Sequence, residues 1–270
     1  LSSAIEKSRV LYRHGVDAIN IPDGPRASSR ISPLITAERI QREVGIETIL
    51  HFCSRDRNLI GMQADLLACA ACGVHNILFI TGDPPKLGNY PQATGVFDTD
   101  SIGMVAVQRR LNRGIDLGGQ AIQPKTEALL GVGLDPTAVD RKRELDRFRQ
   151  KVEAGAEFAI TQPVFDPEAL LRFLDEVEQY EIPIMAGIWP LASFRNAQFM
   201  QNEVPGVEIP DAVMERMEAA GSREEQLQAG VEIAQESVRR VRDRIAGIQV
   251  SAPFGNIHTA LAVIEGWEAG

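Results

Sequence analysis

The chain has 270 residues, 44% of them hydrophobic, with 28 basic and 37 acidic side chains and a formal charge of −9. That balance excludes a nucleic-acid backbone as the main partner, although the charge of a pocket can oppose that of the whole molecule. No apolar run approaches the ~20 residues of a membrane span and no signal peptide is visible; three cysteines, an odd number, make no disulfide framework, so a reducing cytoplasm is expected. The first residue is Leu1, not methionine, and a native start upstream is expected. "LSSAIEKSRVLYRHG" opens the chain as a helix. Seven apolar runs follow: "DAINIP" (17–22), "ETILHFC" (47–53), "NILFITG" (76–82), "EALLGVGL" (127–134), "FAITQPVF" (158–165), "IPIMAGIW" (182–189) and "GIQVSAPF" (247–254). Each is nearly continuous in apolar residues, the pattern of strands buried on both faces.

Helices are expected between them. "DRNLIGMQADLLACAACG" puts Leu59, Met62, Leu66 and Cys69 on one face and ends at the capping glycine Gly73. "DPEALLRFLDEV" begins with a capping Asp166 and a first-turn Pro167. "SREE" at Ser222–Glu225 reads as a capping box, opening a helix whose Leu227, Val231, Ala234, Val238, Val241 and Ile245 share a stripe.

Strands alternating with helices mean a parallel sheet. An open doubly wound sheet would advertise a glycine-rich G-x-G-x-x-G turn, and no strand is followed by one. The expected fold is therefore α/β, a (β/α)8 TIM barrel in one domain over 1–270. Its first strand is missing ahead of the opening helix, as if the chain were part of a longer one. Long irregular stretches at 83–100 and 113–126 mark functional loops.

A barrel places its reactive groups at the C-terminal ends of its strands. Those ends offer Asp23, His51, Cys53, Asp83, Asp135, Gln162, Trp189, Phe194 and Asn256, polar and aromatic with little positive charge. Such a set suits a flat, uncharged, stacking ligand. Asp83 is followed by Pro84, which restricts it to extended backbone; a plain Asp-Pro turn or helix cap is the alternative. Cys69 and Cys72 form a C-x2-C pair, but Cys69 continues an apolar stripe, so core packing explains it and no metal is expected.

"HFCSRDRN", "FITGDPPKLGNYP", "KVEAGAEFAITQPVFD" and "GIWPLASFRNAQF", in that order, resemble the 5,10-methylenetetrahydrofolate reductase family. The likeness is greatest to the reductase half of bacterial bifunctional proteins that also carry a homocysteine S-methyltransferase domain. It implies an FAD-containing barrel, a flavoprotein oxidoreductase of one-carbon metabolism. Such an enzyme passes hydride from NAD(P)H through flavin to methylenetetrahydrofolate, as a homo-oligomer, with a fused or partner methyltransferase. By the same resemblance Asp83 is the carboxylate beside flavin and pterin, and His51, Thr81, Gly82, Glu144 and Lys151 join it in holding the cofactor. Lys151 and Glu144 take its phosphates and ribose, though surface charge on an amphipathic helix explains them equally. Gln162 hydrogen-bonds the pterin, and Phe194 stacks on folate or nicotinamide. Three departures stand out: no F-E-x-x-P-P-like segment supplies the family's proton-donating glutamate, Pro22-Asp23 replaces Thr-Tyr, and Asn256 replaces an arginine. A flavin-free folate-binding barrel in a methyltransferase system and a decayed regulatory module are the competing expectations.

Overall fold

The computed structural model describes residues 1–204 and 207–268. In chain order its elements are α1 (Ser2–Arg13), β1 (Ala18–Ile21), α2 (Pro33–Val44), β2 (Glu47–Cys53), α3 (Leu59–Ala71) and β3 (Asn76–Ile80). These are followed by α4 (Ser101–Asn112), β4 (Leu129–Leu134), α5 (Arg141–Ala154), β5 (Phe158–Pro163), α6 (Pro167–Val177) and β6 (Ile184–Ile188). The last are α7 (Phe194–Glu203), α8 (Asp211–Ala219), α9 (Arg223–Val241), β7 (Gly247–Val250) and α10 (Ile257–Glu268). All seven expected strands form, and they lie in one sheet in chain order. Every ladder described is parallel. This is the α/β order of a TIM-barrel-like fold, with seven strands among the described residues.

The chain divides into two compact units, Leu1–Gly133 with Arg149–Phe158, and Leu134–Phe148 with Ala159–Gly270. In the first, Thr48 of β2 donates to Gln41 of α2, which marks the helix-facing side of the strand. Alternation then puts Leu50 and Phe52 on that side, in register with Ile77 and Phe79 of β3, and all four are buried. Ile49, His51 and Cys53 take the opposite face, with Leu78 and Ile80 beside His51 and Cys53. Asn58 caps α3 by accepting from the Gly61 N–H, and Met62, Leu66 and Cys69 are buried as expected. Leu59 is not part of that stripe: at the first helical position it is 38% exposed.

In the second unit, Asp166 caps α6 through the Glu168 N–H, and Leu170, Leu174 and Val177 are buried. The capping box forms as expected: Ser222 accepts from the Glu225 N–H while Glu225 accepts from the Ser222 N–H. The helix it opens stops at Val241, and a 3-10 turn over Arg242–Arg244 intervenes before Ile245, the last member of the expected stripe. Phe165, Leu191, Ala197, Met200, Val207, Ile209, Met217 and Ile233 make a buried cluster drawn from α7, α8, α9 and the loops beside them, with Phe165 from the turn after β5.

β5 carries one residue too many. Ile160 pairs with Met185 and Pro163 with Gly187, so three steps on β5 face two on β6. The extra residue falls at Thr161–Gln162, where Thr161 Oγ1 accepts the Gly187 N–H (2.8 Å) and donates to the Gln162 carbonyl (2.7 Å). A side-chain hydroxyl thus replaces the backbone acceptor that the bulge removes. Thr161→Val keeps the shape and deletes that acceptor, leaving a buried N–H unpaired. The expected cost is about 1–3 kcal/mol, read as a lower urea midpoint at unchanged slope.

Candidate functional site

In the first unit the ends of β1, β2 and β3 converge. Cys53 is fully buried; its N–H donates to Asp23 Oδ2 (3.0 Å) and its thiol lies 3.3 Å from the Thr81 carbonyl. Burial pushes that thiol's pKa up, so it stays protonated. Ser54 Oγ donates to the same carbonyl (3.1 Å), while Thr81 Oγ1 accepts the Ser101 N–H at the start of α4 (3.3 Å). Thr81 is therefore held from both sides. Gly82 has φ +89°, and a Cβ there would stand 2.1 Å from Cys53 Sγ. Only glycine lets the chain turn here.

That turn delivers Asp83, an exposed residue. Its Oδ2 accepts the Arg26 N–H (3.0 Å) and its carbonyl lies 3.3 Å from Arg55 Nη1. Arg26 and the next residue, Ala27, have φ of 54° and 48°, in the left-handed region that costs ordinary residues of order 1–2 kcal/mol each. The segment after Asp83 packs on this turn so closely that a Cβ at Gly88 would stand 2.3 Å from the Ala27 carbonyl.

Two arginines missed as site residues organise these strand ends. Arg57 Nη1 donates to Asp23 (2.6 Å) and to the Cys53 carbonyl (2.8 Å), and its Nε donates to Asp65 (2.8 Å). Its guanidinium lies 4.3 Å from the centre of the Phe52 ring. Arg55, 4% exposed, grips Asp56 through Nε and Nη2 (2.8 and 2.6 Å) and lies 3.3 Å from the Gly24 carbonyl through Nη1. Asp23, 8% exposed, is thus a structural anion in this chain. The only sequence signal was the "SRDRN" string itself, whose alternating charges read equally as a solvated turn.

His51 stands on the face opposite Phe52, and its Nε2 is buried with no hydrogen-bond partner among the described residues. Burial lowers its pKa to about 4, so the imidazole is neutral at pH 7. Lys151 is 6% exposed and its ammonium donates to the Gly133 carbonyl at the end of β4 (2.7 Å). Cys69 is a buried member of α3 with its thiol pushed up to about 12 by burial, while Cys72 is exposed at the helix end.

The second unit holds the other expected residues. Glu144 accepts the Asp135 N–H (3.0 Å) and so fastens the turn after β4. Gln162 is exposed on the bulge. Phe194, half-buried against the apolar cluster, is the first residue of α7, and its N–H donates to Gln226 (3.0 Å). Asn256 is exposed and accepts the His258 N–H (3.2 Å). Trp189, just past β6, has a buried Nε1–H with no partner among the described residues.

Parallel strands in chain order, with helices between them, define a TIM-barrel-like α/β protein. The family model of methylenetetrahydrofolate reductase matches residues 1–250, and the chain belongs to that family. Among curated relatives, methylenetetrahydrofolate reductase 2 of Schizosaccharomyces pombe is 25% identical over 231 residues, covering 83% of this chain and 36% of the relative. The probable methylenetetrahydrofolate reductase (NADH) of Oryza sativa is 25% identical over 247 residues, covering 89% and 41% respectively. The chain thus spans well under half the length of these relatives. An uncharacterised protein from Clostridium thermocellum that binds two copies of 5-methyl-5,6,7,8-tetrahydrofolic acid has the same fold, with a TM-score of 0.67 at 16% identity. That match covers 99% of this chain and 90% of the other. No described helix is long and apolar enough to cross a membrane.

His51 makes stability depend on pH. An unfolded histidine takes a proton near pH 6.5 and the folded one only near 4, so acid favours the unfolded chain. Stability from this group is complete above pH 6.5 and falls as pH drops toward 4, by up to about 3 kcal/mol. Urea denaturation of the wild type and of His51→Gln across that window measures it: the variant is expected to lose the part of the slope due to one proton.

Proposed function

We propose that the chain is a flavin-dependent reductase that turns 5,10-methylenetetrahydrofolate into 5-methyltetrahydrofolate with hydride from NAD(P)H. The observation that carries this reading is the sealed, neutral, unpartnered Nε2 of His51 on the strand next to the one leading into Asp83. A buried ring nitrogen without a partner is costly, and a heterocyclic cofactor supplies what it lacks. His51, Thr81, Gly82 and Asp83 would hold FAD from the first unit. Bound FAD would accept hydride from NAD(P)H and deliver it to the folate.

Asp83 brings a fixed negative charge to that place. It disfavours further negative charge on a neighbouring ring and favours the cationic iminium form of the folate, the form that accepts hydride. Arg26 keeps the carboxylate oriented through its N–H. Gln162, carried on the bulge, offers a donor and an acceptor to a pterin edge. Phe194 offers a half-buried face for stacking. Lys151 and Glu144 would take phosphates and ribose only by exchanging the partners they now have at Gly133 and Asp135. The reading includes a fused or partner homocysteine S-methyltransferase, a consumer of the methylated product.

That prior engagement of Lys151 favours one second reading: a barrel that binds folate without flavin and serves methyl transfer. A visible spectrum after adding FAD, followed by anaerobic NADH, separates the two. Bound yellow flavin that bleaches supports the reductase; a colourless protein that binds 5-methyltetrahydrofolate and passes its methyl group on supports the alternative. For the reductase, Asp83→Asn is expected to slow folate reduction by roughly tenfold or more while folate binding is partly kept. Unchanged steady-state rates would remove Asp83 from the mechanism.

A further inference from the structure

We infer that Trp189 is a substrate-recognition residue, its indole N–H donating a hydrogen bond to an acceptor on the folate, a ring carbonyl or ring nitrogen. The role presupposes the folate reading above. Nε1 is buried and has no partner among the described residues, yet the residue as a whole is only half-buried. An indole has one polar atom and it can only donate. Sealing it without an acceptor leaves the donor's lost hydration uncompensated, and a phenylalanine here would pack without that cost. An aromatic selected for packing alone has no use for the nitrogen.

The surroundings place this donor among groups already disposed toward a ligand. Trp189 directly follows β6, between strands held on both sides: the Gly187 carbonyl accepts the Val164 N–H (2.9 Å) and the Ile188 carbonyl accepts the Ser251 N–H (2.8 Å). The backbone under the indole is therefore pinned, and adjustment is left to side chains. On the β5 side of β6 lies the bulge that presents Gln162, whose exposed amide makes no hydrogen bond among the described residues. Trp189 packs against the same apolar cluster as Phe194, a half-buried ring at the first position of α7. Gln162 can accept or donate, Trp189 only donates, and together they would read one edge of a heterocycle in a fixed orientation.

The test uses 5-methyltetrahydrofolate and two variants. Trp189→Phe deletes the donor and keeps an aromatic ring. The dissociation constant, by calorimetry, is expected to rise about five- to tenfold, the worth of one hydrogen bond, while the melting temperature of the ligand-free protein does not fall. Trp267→Phe leaves Trp189 as the single indole in the 270 residues. In that variant, labelled with nitrogen-15, the one indole N–H resonance is expected to move on titration with the ligand, in the sense of a newly formed hydrogen bond. Unaltered affinity in Trp189→Phe, or an indole resonance that stays put while ligand saturates the protein, overturns the assignment and leaves folate binding intact. Should Trp189→Phe fold poorly, the resonance alone decides. A wild-type protein that binds no folate overturns the functional reading and this role with it.

Discussion

A carboxylate sealed beneath a guanidinium sets the terms for the first unit. Asp23 and Arg57 leave water together, and neither could do so alone: an isolated charge in that setting would be far costlier than any contact it replaced. The pair is affordable because each partner is further satisfied, Asp23 by the Cys53 N–H and Arg57 by Asp65, the Cys53 carbonyl and the face of Phe52. Three elements are thereby fixed at one point: the end of β1, the end of β2 and the helix α3. Thr81, Gly82 and Asp83 are placed relative to that point through Cys53 and Arg55.

The chemistry at these strand ends is local, and it contradicts the net charge. A chain of formal charge −9 devotes two arginines to a small volume, and their hydrogen-bonding capacity goes to Asp23, Asp56, Asp65 and main-chain carbonyls. Ion pairs used in this way act as construction. What the arginines leave uncommitted in this unit is of a different kind: the exposed carboxylate of Asp83 and the neutral imidazole of His51.

The strands were legible because burial on both faces leaves an unmistakable run of apolar residues, and all seven runs became strands. Their last residues were less legible. "NILFITG" reads as one strand, but Thr81 and Gly82 have left the ladder, since Gly82 must turn away from Cys53 Sγ. Periodicity misled at Leu59 and at Ile245, where the apolar pattern continues beyond the helix that carries it. The candidate carboxylate, imidazole and amide were nominated by their position at strand ends. The Asp23–Arg57 pair was not, because 34 residues separate the partners and no local pattern joins them. Nor was the bulge: a hydroxyl standing in for a carbonyl has no signature in one dimension.

The close approach of Gly88 to the Ala27 carbonyl has a bearing on movement. Arg26 and Ala27 are kept in a conformation they would abandon if left to themselves, and the stretch beyond Asp83 is one of the weights that keeps them there. Lifting that stretch would let both residues relax, so part of the work of undocking is returned by the turn beneath it. The carboxylate of Asp83, tied to the same turn through the Arg26 N–H, would change its aim in the same motion. The packing of this stretch and the orientation of the acid thus rest on one turn, and the absence of a side chain at position 88 is what admits both.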